Sequence, residues 1–178
     1  MTELRVNDFY EDLAFSTGAS LEDFWGDAYR IAFPDMVRYE TCEDLDWQRL
    51  GVDRVIYLSS GHTLHIDEKT RRKVYHDIVL EYVSNDRYNT PGWIEKNLSM
   101  DYLAYAFLPT RKVFLFPWQP LRRAWETNKS NWLAKYRNVR APNHGYNTLS
   151  VAIPIIELRR EVAQAMVVTV PNSQNRID

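Results

Sequence analysis

Residues 51–69 constrain the fold more than any other stretch of this chain. Gly51-Val52-Asp53-Arg54-Val55-Ile56-Tyr57-Leu58 is followed by Ser59-Ser60-Gly61 and then by His62-Thr63-Leu64-His65-Ile66-Asp67-Glu68-Lys69. Two runs rich in β-branched and aromatic residues, joined by a short turn containing Gly, predict a β-hairpin. Side chains alternate between the two faces of a strand. Asp67 and Lys69 therefore share one face, and Leu64, Ile66 and Glu68 take the other. Asp53 opens the first strand, and the hairpin folds that end back toward Asp67. Two carboxylates and an ammonium thus converge at one open end of a sheet.

The flanking sequence supplies layers for that sheet. Residues 78–83 form a third strand, apolar enough to be buried on both faces. Residues 102–116 read as a strand pair broken at Pro109-Thr110, residues 148–153 as a strand, and 166–170 as a last one. Ser20 with an acid three residues later predicts a helix start, with Leu21, Phe24, Trp25, Ala28 and Ile31 at helical spacing and an end near Pro34. Further helices are expected over 93–102, over 120–136 with a stripe of Leu121, Ala124, Trp125, Trp132 and Leu133, and over 155–164. The stretch 36–50 is polar, acidic and irregular, with room for one strand, and 138–147 reads as a loop rich in Asn, Pro and Gly. The expectation is an α/β (α+β) fold, a mixed sheet flanked by helices, in one domain over 1–170 with a polar tail over 171–178.

Composition narrows the function classes. At 178 residues, with 45% apolar and 26% charged side chains, the chain has a globular composition and enough length for one substantial core. No apolar run reaches the roughly 20 residues of a membrane helix, and the first residues lack the pattern of a signal peptide. The single Cys42 excludes an internal disulfide and a cysteine-based zinc cage. These readings point to a cytoplasmic protein without a membrane partner. The net charge of −2 conceals a division. Residues 1–68 hold 15 Asp and Glu against 5 Lys and Arg, and residues 69–178 hold 9 against 17. Binding responds to local fields rather than to the total.

The grouping of Asp53, Asp67 and Lys69 has a chemical use. Neighbouring carboxylates raise each other's pKa unless a cation intervenes. A hard divalent ion relieves that repulsion and prefers oxygen ligands. So held, it can orient a phosphodiester and activate water. An adjacent lysine can orient that water or stabilise charge in the transition state.

With its sequence context, the grouping resembles the PD-(D/E)xK nuclease superfamily. Gln48-Arg49-Leu50-Gly51-Val52-Asp53, Ile66-Asp67-Glu68-Lys69, Asp77-Ile78-Val79-Leu80-Glu81-Tyr82 and Pro91-Gly92-Trp93-Ile94 are similar to a group of small phage or prophage proteins assigned to it. The resemblance covers about residues 46–95. It implies a restriction-endonuclease-like core and hydrolysis of DNA phosphodiesters with Mg2+ or Mn2+. Asp53 and Asp67 would be the metal ligands, Lys69 the catalytic lysine, and the Glu68 carbonyl would complete the metal's shell. An acid on the first helix, Asp27 or Asp23, would add to the site. Val52 stands where the name-giving proline would be. The chain lacks the Gln-x-x-x-Tyr element of the exonuclease-like branch. RNA as substrate requires only a substrate swap on the same fold, and related folds often pair as homodimers. A non-catalytic member that binds nucleic acid or a protein partner is the rival reading.

The remaining residues leave choices open. Glu81, inside an apolar strand, needs a partner: an outer place at the metal site or a salt bridge to Arg71 or Arg72. Lys69, Arg71, Arg72 and Lys73 form a basic run directly after the site, suited to flanking phosphates or simply to solvent. His62 and His65 are spaced for opposite faces of a strand and do not form a zinc pair. Trp93, Trp125 and Trp132 are expected in the core.

Overall fold

A computed structural model describes residues 18–172. Its first helix, α1, spans Gly18–Ala32 and stops just before Phe33-Pro34, as the restricted residue before proline requires. The hairpin is present: β2 is Arg54–Leu58 and β3 is Thr63–Arg71, antiparallel with Arg54 opposite Ile66. The polar stretch before it contains β1 (Met36–Thr41) and a short helix α2 (Leu45–Arg49).

After β3 come β4 (Asp77–Asn85), β5 (Thr90–Pro91), β6 (Tyr102–Phe107) and β7 (Lys112–Pro117). Then follow α3 (Trp118–Lys135), β8 (Arg137–Asn143), β9 (Tyr146–Pro154), α4 (Ile155–Glu161) and β10 (Met166–Thr169). Two sheets result. One has the order β1-β2-β3-β6-β7-β10, and the other β5-β4-β9-β8. In the larger sheet only β3 and β6 run parallel, so it is mixed. The result is a mixed α+β single domain, with four α-helices among the described residues. None of these is long and apolar enough to cross a membrane.

Period-two alternation sorts the larger sheet into two faces. Ile56, Ile66, Ala104, Ala106, Val113 and Leu115 pack under Phe24, Trp25, Ala28 and Tyr29 of α1. Leu103, Tyr105, Phe107, Phe114 and Phe116 face the other way. They share a second core with Ile78 and Leu80 of β4, Val151 and Ile153 of β9, and Trp118, Leu121, Trp125 and Trp132 of α3. The predicted stripe on α3 is therefore buried, and Trp125 and Trp132 are core residues. On α1, Ile31 is exposed and Tyr29 takes its place inside.

Two expectations are corrected. The helix expected over 93–102 is a single 3-10 turn, Trp93–Glu95, after which the chain is extended at Lys96. The Ser99 N–H bonds the Leu50 carbonyl at 2.8 Å and the Asp101 N–H bonds the His65 carbonyl at 2.7 Å. Those contacts outside the segment replace the helical ladder. The loop expected over 138–147 is instead most of β8 and the start of β9, a ladder running from Arg137 opposite Ala152 to Asn143 opposite Tyr146. β8 has few strand-forming side chains, and its Pro142 is tolerated because β8 is the sheet edge.

Candidate active site

The geometry starts at Gly51. Its φ of +79° suits glycine, and a Cβ there would stand 3.0 Å from Leu98 Cδ1. The chain turns there into Val52, which is fully buried, and into Asp53. The Asp53 N–H donates to the Ile66 carbonyl at 2.9 Å, extending the β2–β3 pairing by one bond. Beyond it the Asp53 side chain takes over: Oδ2 accepts the Glu68 N–H at 2.8 Å. The first acid is thereby fixed against the strand that carries the second. The N–H and C=O of one strand residue point to the same edge. The Glu68 carbonyl is therefore directed to the Asp53 side of β3, past the last β2–β3 pair.

Asp67 is 3% exposed. Its carboxyl accepts from Lys69 Nζ at 2.6 Å, and the Asp53 carboxyl is near enough to act on it electrostatically. Burial pushes the Asp67 pKa up to about 7; the ammonium of Lys69 opposes this and the Asp53 carboxylate adds to it. Asp67 thus retains a proton close to neutrality. Lys69 is half-buried, and Tyr105 lies opposite it on β6. Arg71, two residues further along the same face, donates from Nε to the Tyr105 hydroxyl at 2.6 Å.

Glu68 points to the opposite face. Its carboxylate accepts from the Tyr29 hydroxyl at 2.6 Å and from Arg54 Nε at 3.0 Å. Arg54 also reaches Glu22 Oε1 at 2.7 Å and Thr41 Oγ1 at 2.8 Å. Burial raises the Glu68 pKa despite the guanidinium beside it. This network holds together α1, β1, β2 and β3 directly behind the acid pair. Arg54 follows Asp53 in sequence and Glu68 follows Asp67, so each acid has a neighbour anchored on the other face.

Glu81 lies on β4. Burial raises its pKa, while Lys96, Lys69 and the Trp93 N–H pull it down. Lys69 thus lies within electrostatic reach of Asp67 and of Glu81. The close approach that puts Trp93 there requires Gly92, since a Cβ on it would overlap the Glu81 carbonyl. Of the salt-bridge partners considered for Glu81, Arg71 is engaged by Tyr105.

The structure therefore brings Asp53, Asp67 and Lys69 together, with Glu81 near Lys69. The Glu68 side chain is turned away, and only its backbone faces Asp53. Asp27 bonds Arg30 at 3.1 Å on α1, the layer that covers the Glu68 face rather than the Asp67 face. Asp23 is an exposed residue of the same helix. Arg72 is half-buried and Lys73 exposed, both just past the end of β3. His62 lies in the hairpin turn, and His65 on β3 packs against the Trp47 ring. The sequence reading missed Glu22, Arg54 and Tyr29. Only the buried position of a charge following Asp53 could have signalled Arg54, and its partners come from distant segments.

The two acids meet the requirements of a hard cation in part. Among the described residues, no group of three or more His, Cys, Asp or Glu side chains could enclose a metal ion. Mg2+ is commonly held by one or two carboxylates, with water and substrate phosphate supplying the rest. Asp53, Asp67 and the Glu68 carbonyl form an all-oxygen set of that kind. No model of a protein family matches the chain, nor does any curated protein or solved structure.

Proposed function

We propose that this chain is a divalent-cation-dependent nuclease that hydrolyses DNA phosphodiester bonds, with a restriction-endonuclease-like core. The observation that carries the reading is the under-compensated acid pair. Asp53 and Asp67 stand together where β2 begins alongside β3 inside a mixed sheet, close enough to interact, and Lys69 Nζ lies 2.6 Å from Asp67 Oδ1. Carboxyl groups shifted this far, here to about 7, cluster at sites that hold a cation or move a proton.

Asp53, Asp67 and the Glu68 carbonyl would hold Mg2+ or Mn2+. When bound, such an ion supplies charge neutralisation at the phosphoryl oxygens and a more acidic water. Asp53 is oriented by the Glu68 N–H, and Asp67 gives up its proton as the site fills. Lys69 turns its ammonium to the phosphoryl oxygens or orients the attacking water. Glu81 would add to the negative field around Lys69. Arg71 and Lys73 offer cations to flanking phosphates.

The test is nicking of supercoiled plasmid and cutting of single strands with Mg2+ or Mn2+, with RNA as competitor. Cleavage that Asp67→Ala and Lys69→Ala abolish supports the assignment. Cleavage unchanged in both variants removes it. One observation favours a second reading. The Lys69–Asp67 ion pair already neutralises part of the acid pair from within. A non-catalytic nucleic-acid- or protein-binding member would need no more. Titration calorimetry separates the two, because the second reading expects no Mg2+ or Mn2+ heat that depends on Asp53 and Asp67.

A further inference from the structure

Beside the acid pair stands an aromatic side chain that the proposed chemistry does not use. Trp47 on α2 is 42% exposed, although tryptophan is highly buried on average. Its position is tightly held. The Asp44 side chain caps α2 by accepting the Asp46 and Trp47 N–H groups at 2.8 and 3.2 Å. Gln48 Nε2 donates to the Cys42 carbonyl at 2.6 Å. The Val52 N–H, one residue before Asp53, donates to the Trp47 carbonyl at 3.1 Å. The helix that presents the indole is thus tied to the strand that presents the first acid.

The indole rests against His65, with ring centroids 4.9 Å apart. His65 is two residues before Asp67 on the same face of β3, about 6.6 Å along the strand. Lys69 and Arg71 follow on that face at the same step. One line along β3 therefore carries an aromatic platform, an acid pair, an ammonium and a guanidinium. A nucleic-acid strand offers the complementary series, a flat base beside a run of phosphates.

We propose that Trp47, backed by His65, stacks on an unpaired base of a nucleic-acid strand whose phosphates pass the acid pair, Lys69 and Arg71. The inference rests on the nuclease reading above and names its substrate class. Bases inside a duplex are stacked on one another and cannot offer a face to the indole. The site accordingly takes single strands, frayed ends or a nucleotide turned out of the helix.

Fluorescence anisotropy with a labelled single-stranded oligodeoxynucleotide, an abasic version of it and a blunt duplex tests this in the presence of chelator. Trp47→Ala should weaken binding of the intact strand roughly five- to 150-fold, the range of one base–aromatic stack. Trp47→Phe should restore most of it, and neither variant should alter binding of the abasic strand. The wild-type protein alone should bind the abasic strand more weakly by a similar factor, which needs no variant to fold. If Trp47→Ala binds the intact strand like wild type while Arg71→Ala weakens it, the stacking is overturned and the nuclease reading stands. Wild-type protein that binds no strand and no duplex overturns both. If Trp47→Ala abolishes self-association in sedimentation without changing strand binding, the indole is a contact between copies, and the stacking is again overturned.

Discussion

The two faces of β3 solve the same electrostatic problem in different ways. Behind the strand, the guanidinium of Arg54 lies between two carboxylates, 3.0 Å from Glu68 and 2.7 Å from Glu22, and Tyr29 adds a hydroxyl at 2.6 Å. In front of it, Asp67 has one ammonium, that of Lys69, with the Asp53 carboxylate close by, and burial leaves the Asp67 pKa at about 7. The rear cluster consists of well-partnered groups from four elements, which suits it to fix geometry. The front cluster carries acid that its own surroundings do not fully compensate. Under-compensated acid backed by a rigid network is what a cation site requires.

The largest effect should come from breaking the rear cluster. Arg54→Ala leaves Glu68 buried without its counter-charge, at a cost of about 3–5 kcal/mol. Urea unfolding should show it as a lower midpoint at unchanged slope. A loss below about 1 kcal/mol would mean that water enters behind the strand and that the contrast between faces is false.

Tyr29→Phe removes one hydrogen bond to a buried carboxylate, worth about 1.5–3 kcal/mol. If the rear cluster also positions the front one, this variant should lower the cleavage rate without changing which metal ions support it. An unchanged rate with lowered stability would limit Tyr29 to the fold.

The front cluster should instead reveal itself through pH. The folded pKa of Asp67, about 7, exceeds its ordinary value of 3.8. Between these values the folded state keeps a proton that the unfolded state has lost, so stability falls as pH rises from about 4 to about 7. It levels off above that. Unfolding midpoints in chelator across this range should show the decline, and Asp67→Asn should make it shallower. A residual slope of the same sign is expected from Glu68, whose pKa is also raised. Stability that rises through the window in the wild-type protein would overturn the assignment.

The smallest effect belongs to Glu22→Gln. Glu22 is 43% exposed where Glu68 is 14% exposed. Water can replace much of what Glu22 offers Arg54, so the loss should be about 0.2–1 kcal/mol. A loss equal to that of Arg54→Ala would make Glu22 an equal partner in the rear cluster.

Much of the front face is legible in the sequence, because it depends on one short-range rule. Alternation along a strand placed Asp67 and Lys69 together and turned Glu68 away, and a tight hairpin returned Asp53 to them. The rear face was not legible. Glu22 and Tyr29 of α1 lie far in sequence from Arg54 and Glu68, and nothing local distinguishes them from other charged or aromatic positions. The helix expected over 93–102 failed because its backbone groups found partners at Leu50 and His65. The loop expected over 138–147 failed because β9 supplied a ladder that composition could not announce. Trp47 passed unnoticed for a similar reason, since its exposure is a property of the whole surface around α2.

By itself the sequence determined the hairpin and its two faces, the first helix, and the long helix with its buried tryptophan stripe. It also determined that two acids and a lysine would meet at one end of a sheet. Only the tertiary structure decided which distant groups would stand behind those acids and how far burial would raise their hold on a proton. Local chemistry fixes where a side chain points, because strand geometry repeats every two residues. Its electrostatic state depends on how much water the rest of the fold removes, and that is set by contacts between residues far apart in the chain.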